Sequence, residues 1–166
     1  LARRVLVVDL DVHQGDGTAA IFEGDTTVTT LSVHGRQNFP FGKRASAIDV
    51  ALDDGTTDDA YLATLATVLP RAIDRARPDL AVYLAGADPF EGDRLGRLGL
   101  TKAGLADRDR MVLDRLGALG IPVAIAMAGG YAEDVDDVVD IHVATVALAL
   151  ERAGALPCAE AAAAAC

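Results

Sequence analysis

The chain has 166 residues, 51 % of them hydrophobic, and a formal net charge of −10. That length and composition set a prior of one domain with enough apolar material for a core, and the acidity excludes nucleic acid or an anionic membrane as the main partner while suiting a cationic substrate. The two cysteines, Cys158 and Cys166, imply no disulfide framework, so a cytoplasmic setting is expected, and no apolar run reaches membrane-spanning length. Residues 5–10 form a short apolar run with β-branched residues, the pattern of a strand buried on both faces. A short helix is expected over residues 18–22, a second strand over 28–33 and a weaker third over 47–52. The spacing of Tyr61, Leu62, Leu65, Val68 and Leu69 predicts a helix over 58–75, with a kink at Pro70. A strand over 80–84 leads into a Gly/Asp/Pro-rich loop over 85–99. Thr101 caps a helix that runs to about Leu119 and stops at Gly120. A strand over 121–127 and a helix over 134–151 complete the pattern, and the Ala-rich stretch 153–166 reads as a disordered tail. Strands alternating with helices predict an α/β fold, three layers αβα around a parallel sheet.

In such a sheet ligands bind beyond the carboxyl ends of the strands. Asp9, Asp11, His13, Asp88 and Tyr131 all fall at such ends on this reading. In Asp11-Val12-His13 the two side chains lie two apart, so extended backbone points both to one side. A carboxylate and an imidazole placed so can grip one ion, although a hydrogen-bonded Asp-His pair would serve the fold as well. Asp88, from another strand end, tips the balance towards a zinc ion held by three N/O ligands with an open position. Asp9 sits further inward, where a bare carboxylate requires a cation or a charged partner. Gly129 and Gly130 let the backbone turn tightly and aim the Tyr131 phenol into the site, where a phenol can donate to a developing oxyanion, although a tight turn with a half-buried tyrosine would serve the fold as well. His142 shares a helix face with Val135, Val138, Val139 and Val146, which reads as core, and His34 reads as structural or surface. The acidic runs, Asp58-Asp59 among them, read as solvated helix starts, and Arg94, Arg97, Arg108 and Arg110 as scattered charges making no basic patch. Neither a dinucleotide fingerprint, a triphosphate loop nor a calcium loop is present.

The series Asp-x-Asp-x-His-x-Gly-Asp-Gly from Asp9, Ala-Gly-Ala-Asp-x-x-x-Gly-Asp from Ala85, and Gly-Gly-Tyr from Gly129 resembles the zinc-dependent histone deacetylase family of the arginase/deacetylase superfamily. His13-Gln14, residues 91–96 and Arg108-Asp109 are most similar to its class IV branch and bacterial relatives. The resemblance covers nearly all of residues 1–150 and implies an arginase/deacetylase-like fold, incomplete on its N-terminal side, with residues 1–152 as the C-terminal portion of the domain. It implies zinc on Asp11, His13 and Asp88, and Tyr131 as the residue that polarises the scissile carbonyl. Phe39, before Pro40, and Gly129 and Gly130 would line the acyl tunnel. A monovalent cation, K⁺, would rest on oxygens of Asp9, Asp11, His13, Ser32 and Val33, and a second near Phe22, Asp25 and Val28. Asp9 and Asp16 would each orient one histidine of the family's His-His proton shuttle. No adjacent His pair occurs in these residues. The expectation is therefore a portion of a longer enzyme that hydrolyses acyl-lysine, or an acetylpolyamine or other small amide, with one flank of the sheet uncovered and the shuttle outside this chain.

Three other readings stand beside this one. Asp9-Leu10-Asp11 after a strand also opens haloacid-dehalogenase-type phosphatases, which would use magnesium, but Val12-His13 departs from their pattern. A two-manganese ureohydrolase would need more Asp/His ligands. A metal-holding module without catalysis would have no use for Tyr131, Phe39 and Asp16.

Overall fold

The computed structural model describes residues 2–155. Five strands make one parallel sheet in the order β3-β2-β1-β4-β5: β1 (Val5–Asp9), β2 (Val28–Gly35), β3 (Ile48–Leu52), β4 (Leu80–Gly86) and β5 (Val123–Ala128). Four helices connect and cover them, α1 (Asp16–Ile21), α2 (Asp58–Ala76), α3 (Lys102–Ala118) and α4 (Val135–Ala155). The architecture is the expected three-layer α/β fold. β1 and β4 lie at its centre because their residues are apolar on both faces, and Leu6, Val8, Leu10 and Tyr83 are fully buried against Leu31, Tyr61, Leu65 and Leu105. None of the described helices is long and apolar enough to cross a membrane.

The boundaries depart from the sequence reading where a tertiary hydrogen bond extends an element. β2 runs on to Gly35, because the Gly35 N–H donates to Val12 O and the Arg36 N–H to Leu52 O. Pro70 sits inside a continuous α2. α4 continues to Ala155, past the expected boundary at residue 152, and the remainder of the expected tail lies outside the described residues. Asp58 is not a solvated helix start. Its carboxylate accepts the Thr101 N–H at 2.9 Å and the Thr101 hydroxyl at 2.7 Å, while Thr101 caps α3 by accepting from the Gly104 N–H. The first residue of α2 thus anchors the first turn of α3.

A second correction concerns α4. Its valine face, read as core, is exposed: Val135, Val139, Val143, Val146 and Leu150 all face outward beside Met127 of β5. His142 lies in this face with a buried Nδ1 that has no hydrogen-bond partner among the described residues. β5 pairs with β4 on one side and with no other strand among the described residues. An apolar face beside an open sheet edge drives self-association. The double substitution Met127→Lys with Val143→Glu is therefore expected to lower the sedimentation coefficient at concentrations where the unsubstituted chain associates. Unchanged sedimentation would count against this face.

Candidate metal centre

β1 and β4 are neighbours in register, Val5 opposite Leu80 and Asp9 opposite Leu84, so both chains leave the sheet at the same edge. The Leu10 N–H makes a last bridge to Leu84 O at 3.1 Å. Beyond it Asp11 and His13 follow β1 and Asp88 follows β4. Asp88, only 1 % exposed, ties the two exits together by accepting the Val12 N–H at 2.9 Å. The His13 Nδ1 lies 3.0 Å from Asp11 Oδ1 and 3.1 Å from Asp88 Oδ2. One potential ligand atom from each of Asp11, His13 and Asp88 falls within 4.8 Å of the others. Two carboxylate oxygens and one imidazole nitrogen converging on a common point can hold a divalent metal ion and leave it an open position.

The electrostatics follow from crowding acids at a buried strand edge. Burial pushes the Asp9 carboxyl up to about 7 and raises Asp88, whose bond to His13 offsets this only in part. Burial also opposes ionisation of Asp11, but hydrogen bonds from the His13 side chain and backbone outweigh it and hold Asp11 below the usual carboxylate range. His13, bonded to Asp11 and then to Asp88, is pushed up to about 10. The His13 Nδ1 thus lies within hydrogen-bonding distance of both carboxylates.

Gly129 completes the cradle. Its φ is +60°, and a Cβ there would lie 2.2 Å from Asp88 Oδ2. Only glycine both adopts this left-handed conformation freely and leaves room for the carboxylate. Gly130, at φ +118°, carries the chain round to Tyr131.

The other predicted residues distribute as follows. Asp9, nearly buried, accepts the Asp11 N–H at 3.2 Å and lies opposite Ser32 in the sheet, next to Val33. Ser32 Oγ lies 2.9 Å from Nδ1 of His34, which is a buried structural residue. Asp16 begins α1 and bonds the Gly17 N–H, apart from the Asp11–His13–Asp88 cluster. Phe22, Asp25 and Val28 line one cleft, with the Asp25 carboxylate satisfied by Thr27. Phe39 is 61 % exposed and packs edge-to-face on Phe41, and Tyr131 is 58 % exposed.

Three residues that carry the family resemblance have parts in this arrangement that the sequence did not assign to them. Asp93 accepts the Tyr131 N–H with Oδ2 and the Leu95 and Gly96 N–H groups with Oδ1, fixing where the tyrosine begins. Gln14 bonds both the N–H and the carbonyl of Arg44 and the Asp49 carboxylate, tying the Phe39 loop to the residue after His13. Arg108 is not a scattered surface charge: it is fully buried. A signal for it existed, since Arg108 falls between Leu105 and Val112 on the apolar stripe of α3.

A parallel sheet with carboxylates and an imidazole converging at the carboxyl end of its central strands defines an α/β protein with a group of side chains that could hold a metal ion. Residues 1–146 match the family described as Histone deacetylase domain, and the chain belongs to that family. It is 50 % identical over 142 residues to an uncharacterized protein of Picosynechococcus sp., covering 86 % of this chain and 47 % of that protein. It is 37 % identical over 131 residues to Histone deacetylase 2 of Arabidopsis thaliana, covering 77 % of this chain and 34 % of the relative. The crystal structure of the HDA15 HD domain superposes with a TM-score of 0.75 at 28 % identity, over 91 % of this chain and 46 % of that one. The chain thus spans about half the length, or less, of the relatives it matches.

Proposed function

We propose that this chain contributes the metal site and the oxyanion donor of a zinc-dependent N-acyl amide hydrolase acting on acyl-lysine side chains. The observation that carries the reading is the convergence of Asp11, His13 and Asp88 at one strand edge, in a chain of the histone deacetylase family. Three N/O donors with an open fourth position suit zinc in a catalytic rather than a structural site. When bound there, zinc supplies Lewis acidity, polarising an amide carbonyl and acidifying water.

The chain's own residues do the rest of what it contributes. Asp88 and Gly129 hold the ligand edge rigid, and Asp93 and Arg94 fix the Tyr131 backbone. The Tyr131 hydroxyl donates to the oxyanion as the carbonyl becomes tetrahedral. In the complete protein Tyr131→Phe is expected to lower kcat by about 10²–10³-fold with zinc affinity unchanged, as for loss of one oxyanion donor; a parallel loss of zinc would reassign the residue. Phe39 and Gly130 would flank the acyl chain. A potassium ion on oxygens of Asp9, Asp11, His13, Ser32 and Val33 would neutralise the buried Asp9. With no adjacent His pair in the sequence, we infer that proton transfer to the leaving amine belongs to residues outside this chain, with Asp9 and Asp16 orienting them. The reading carries with it a cytoplasmic setting.

Calorimetry with zinc, paired with hydrolysis assays on an acetyl-lysine peptide and on an acetylated polyamine, tests this. The chain alone should bind one zinc ion and hydrolyse neither substrate above background. No zinc binding would overturn the metal reading, and hydrolysis by the chain alone would overturn the assignment of the shuttle. Once the complete protein is active, preference for the polyamine would replace acyl-lysine as substrate.

A further inference from the structure

Arg108 of α3 is a charged side chain with no exposure at all, lying directly beneath the strand ends that carry the candidate ligands. Its Nη1 donates to Gly86 O at 2.7 Å and to Leu10 O at 3.3 Å. Leu10 is the residue before Asp11, and Gly86 lies two before Asp88. One nitrogen therefore bridges the two backbones at the point where they leave the sheet. The other side of the guanidinium faces Asp109: Nε donates to Oδ1 at 2.9 Å, and Nη2 lies 2.8 Å from the same oxygen. Asp109 is held in turn by the Tyr83 hydroxyl from β4 and the Thr145 hydroxyl from α4, each at 2.5 Å. The fork is thus locked in place by groups from three elements.

A buried ion pair of this kind adds little stability, because desolvation cancels much of the attraction. Its geometry does something an apolar filler cannot, since it fixes the distance between two carbonyls on separate strands. The approach it spans is already tight, for a Cβ on Gly86 would lie 2.7 Å from Asp11 Cα. We propose that Arg108, seated by Asp109, is a positioning residue that sets the gap between the β1 and β4 exits and hence the spacing of Asp11, His13 and Asp88. The part concerning metal rests on the zinc reading above. The part concerning the gap does not. Lysine cannot replace it, because an ammonium is a point charge and cannot reach two carbonyls while clasping a carboxylate.

Two readouts test this. The Val12 N–H, which bonds Asp88 across the gap, reports the separation of the exits by amide hydrogen exchange in the metal-free chain. Zinc affinity, measured by chelator competition, reports the consequence. The variants are Arg108→Lys and Arg108→Met, with Leu69→Ala as a control that destabilises the core from α2. Both Arg108 variants should speed exchange at Val12 by at least about tenfold more than their loss of global stability accounts for. They should also weaken zinc binding by about 10–100-fold, the usual effect of removing a support behind a metal ligand. Leu69→Ala should speed Val12 exchange only in step with the loss of global stability and leave zinc affinity unchanged. Val12 exchange that tracks global stability in all three variants would overturn the proposal, as would wild-type Val12 protection in Arg108→Lys. If the unsubstituted chain binds no zinc, the metal reading fails, and Val12 exchange still decides whether Arg108 sets the gap.

Discussion

Replacing Asp88 by asparagine is expected to abolish stoichiometric zinc binding and to lower the melting temperature of the metal-free chain. Both losses are expected because a bound cation and the His13 imidazole would draw on the same carboxylate. Asp9, Asp11 and Asp88 crowd one imidazole at a buried edge, and burial drives two of the three carboxyls towards protonation. Asparagine keeps an acceptor for the Val12 N–H but removes the charged partner that lies 3.1 Å from His13 Nδ1, a loss of about 1–3 kcal/mol for a hydrogen bond to a charged group. With zinc at a hundred times its Kd, the unsubstituted chain gains about 2.7 kcal/mol by mass action. The variant gains nothing. Thermal melts of both proteins with and without zinc give all four numbers. A zinc-dependent rise in Tm that survives in Asp88→Asn would place the metal elsewhere.

Gly129→Ala is expected to combine a backbone cost and a steric cost at the edge of the candidate centre. Left-handed backbone costs a non-glycine residue about 1–2 kcal/mol. The new Cβ would also fall 2.2 Å from the Asp88 carboxylate, which the Val12 N–H and His13 hold in place. Displacing it brings the total to about 2–4 kcal/mol, by the usual cost of overpacking a filled site. Gly120→Ala separates the two contributions, because Gly120 has a φ of +66° and nothing within 4 Å of its Cβ position. Urea denaturation should find the Gly120 variant destabilised by the backbone cost alone. Zinc affinity should fall only in the Gly129 variant. Equal destabilisation of the two would mean that Asp88 yields to the methyl group without cost.

What the sequence made legible was what is local. Four of the strands stood out because buried parallel strands are apolar runs with little alternation, while β3, with an exposed Asp49, gave a weaker pattern. Asp11 and His13 stood out because their relation is a two-residue spacing. Asp88 was reachable through a rule about strand ends. Arg108, Asp58 and Asp93 were not, because each owes its role to a partner more than twenty residues away: Gly86, Thr101 and Tyr131 respectively. The α4 face misled for the opposite reason. Its 3.6-residue pattern of valines is a helix built to be covered, and a pattern carries no information about what covers it. His34 lies inside β2 only because Val12 and Leu52 supply acceptors to Gly35 and Arg36.

The parallel pairing of β1 with β4 also fixes when the centre can exist. His13 and Asp88 are 75 positions apart, and at ribosomal rates that interval takes roughly 4–15 s to synthesise. Through that time Asp11 and His13 are without their buried partner Asp88. On the proposed metal reading, loading would follow the docking of β4 onto β1. Metal bound so late would leave the speed of folding unchanged, and its effect would fall on how long the finished chain stays folded.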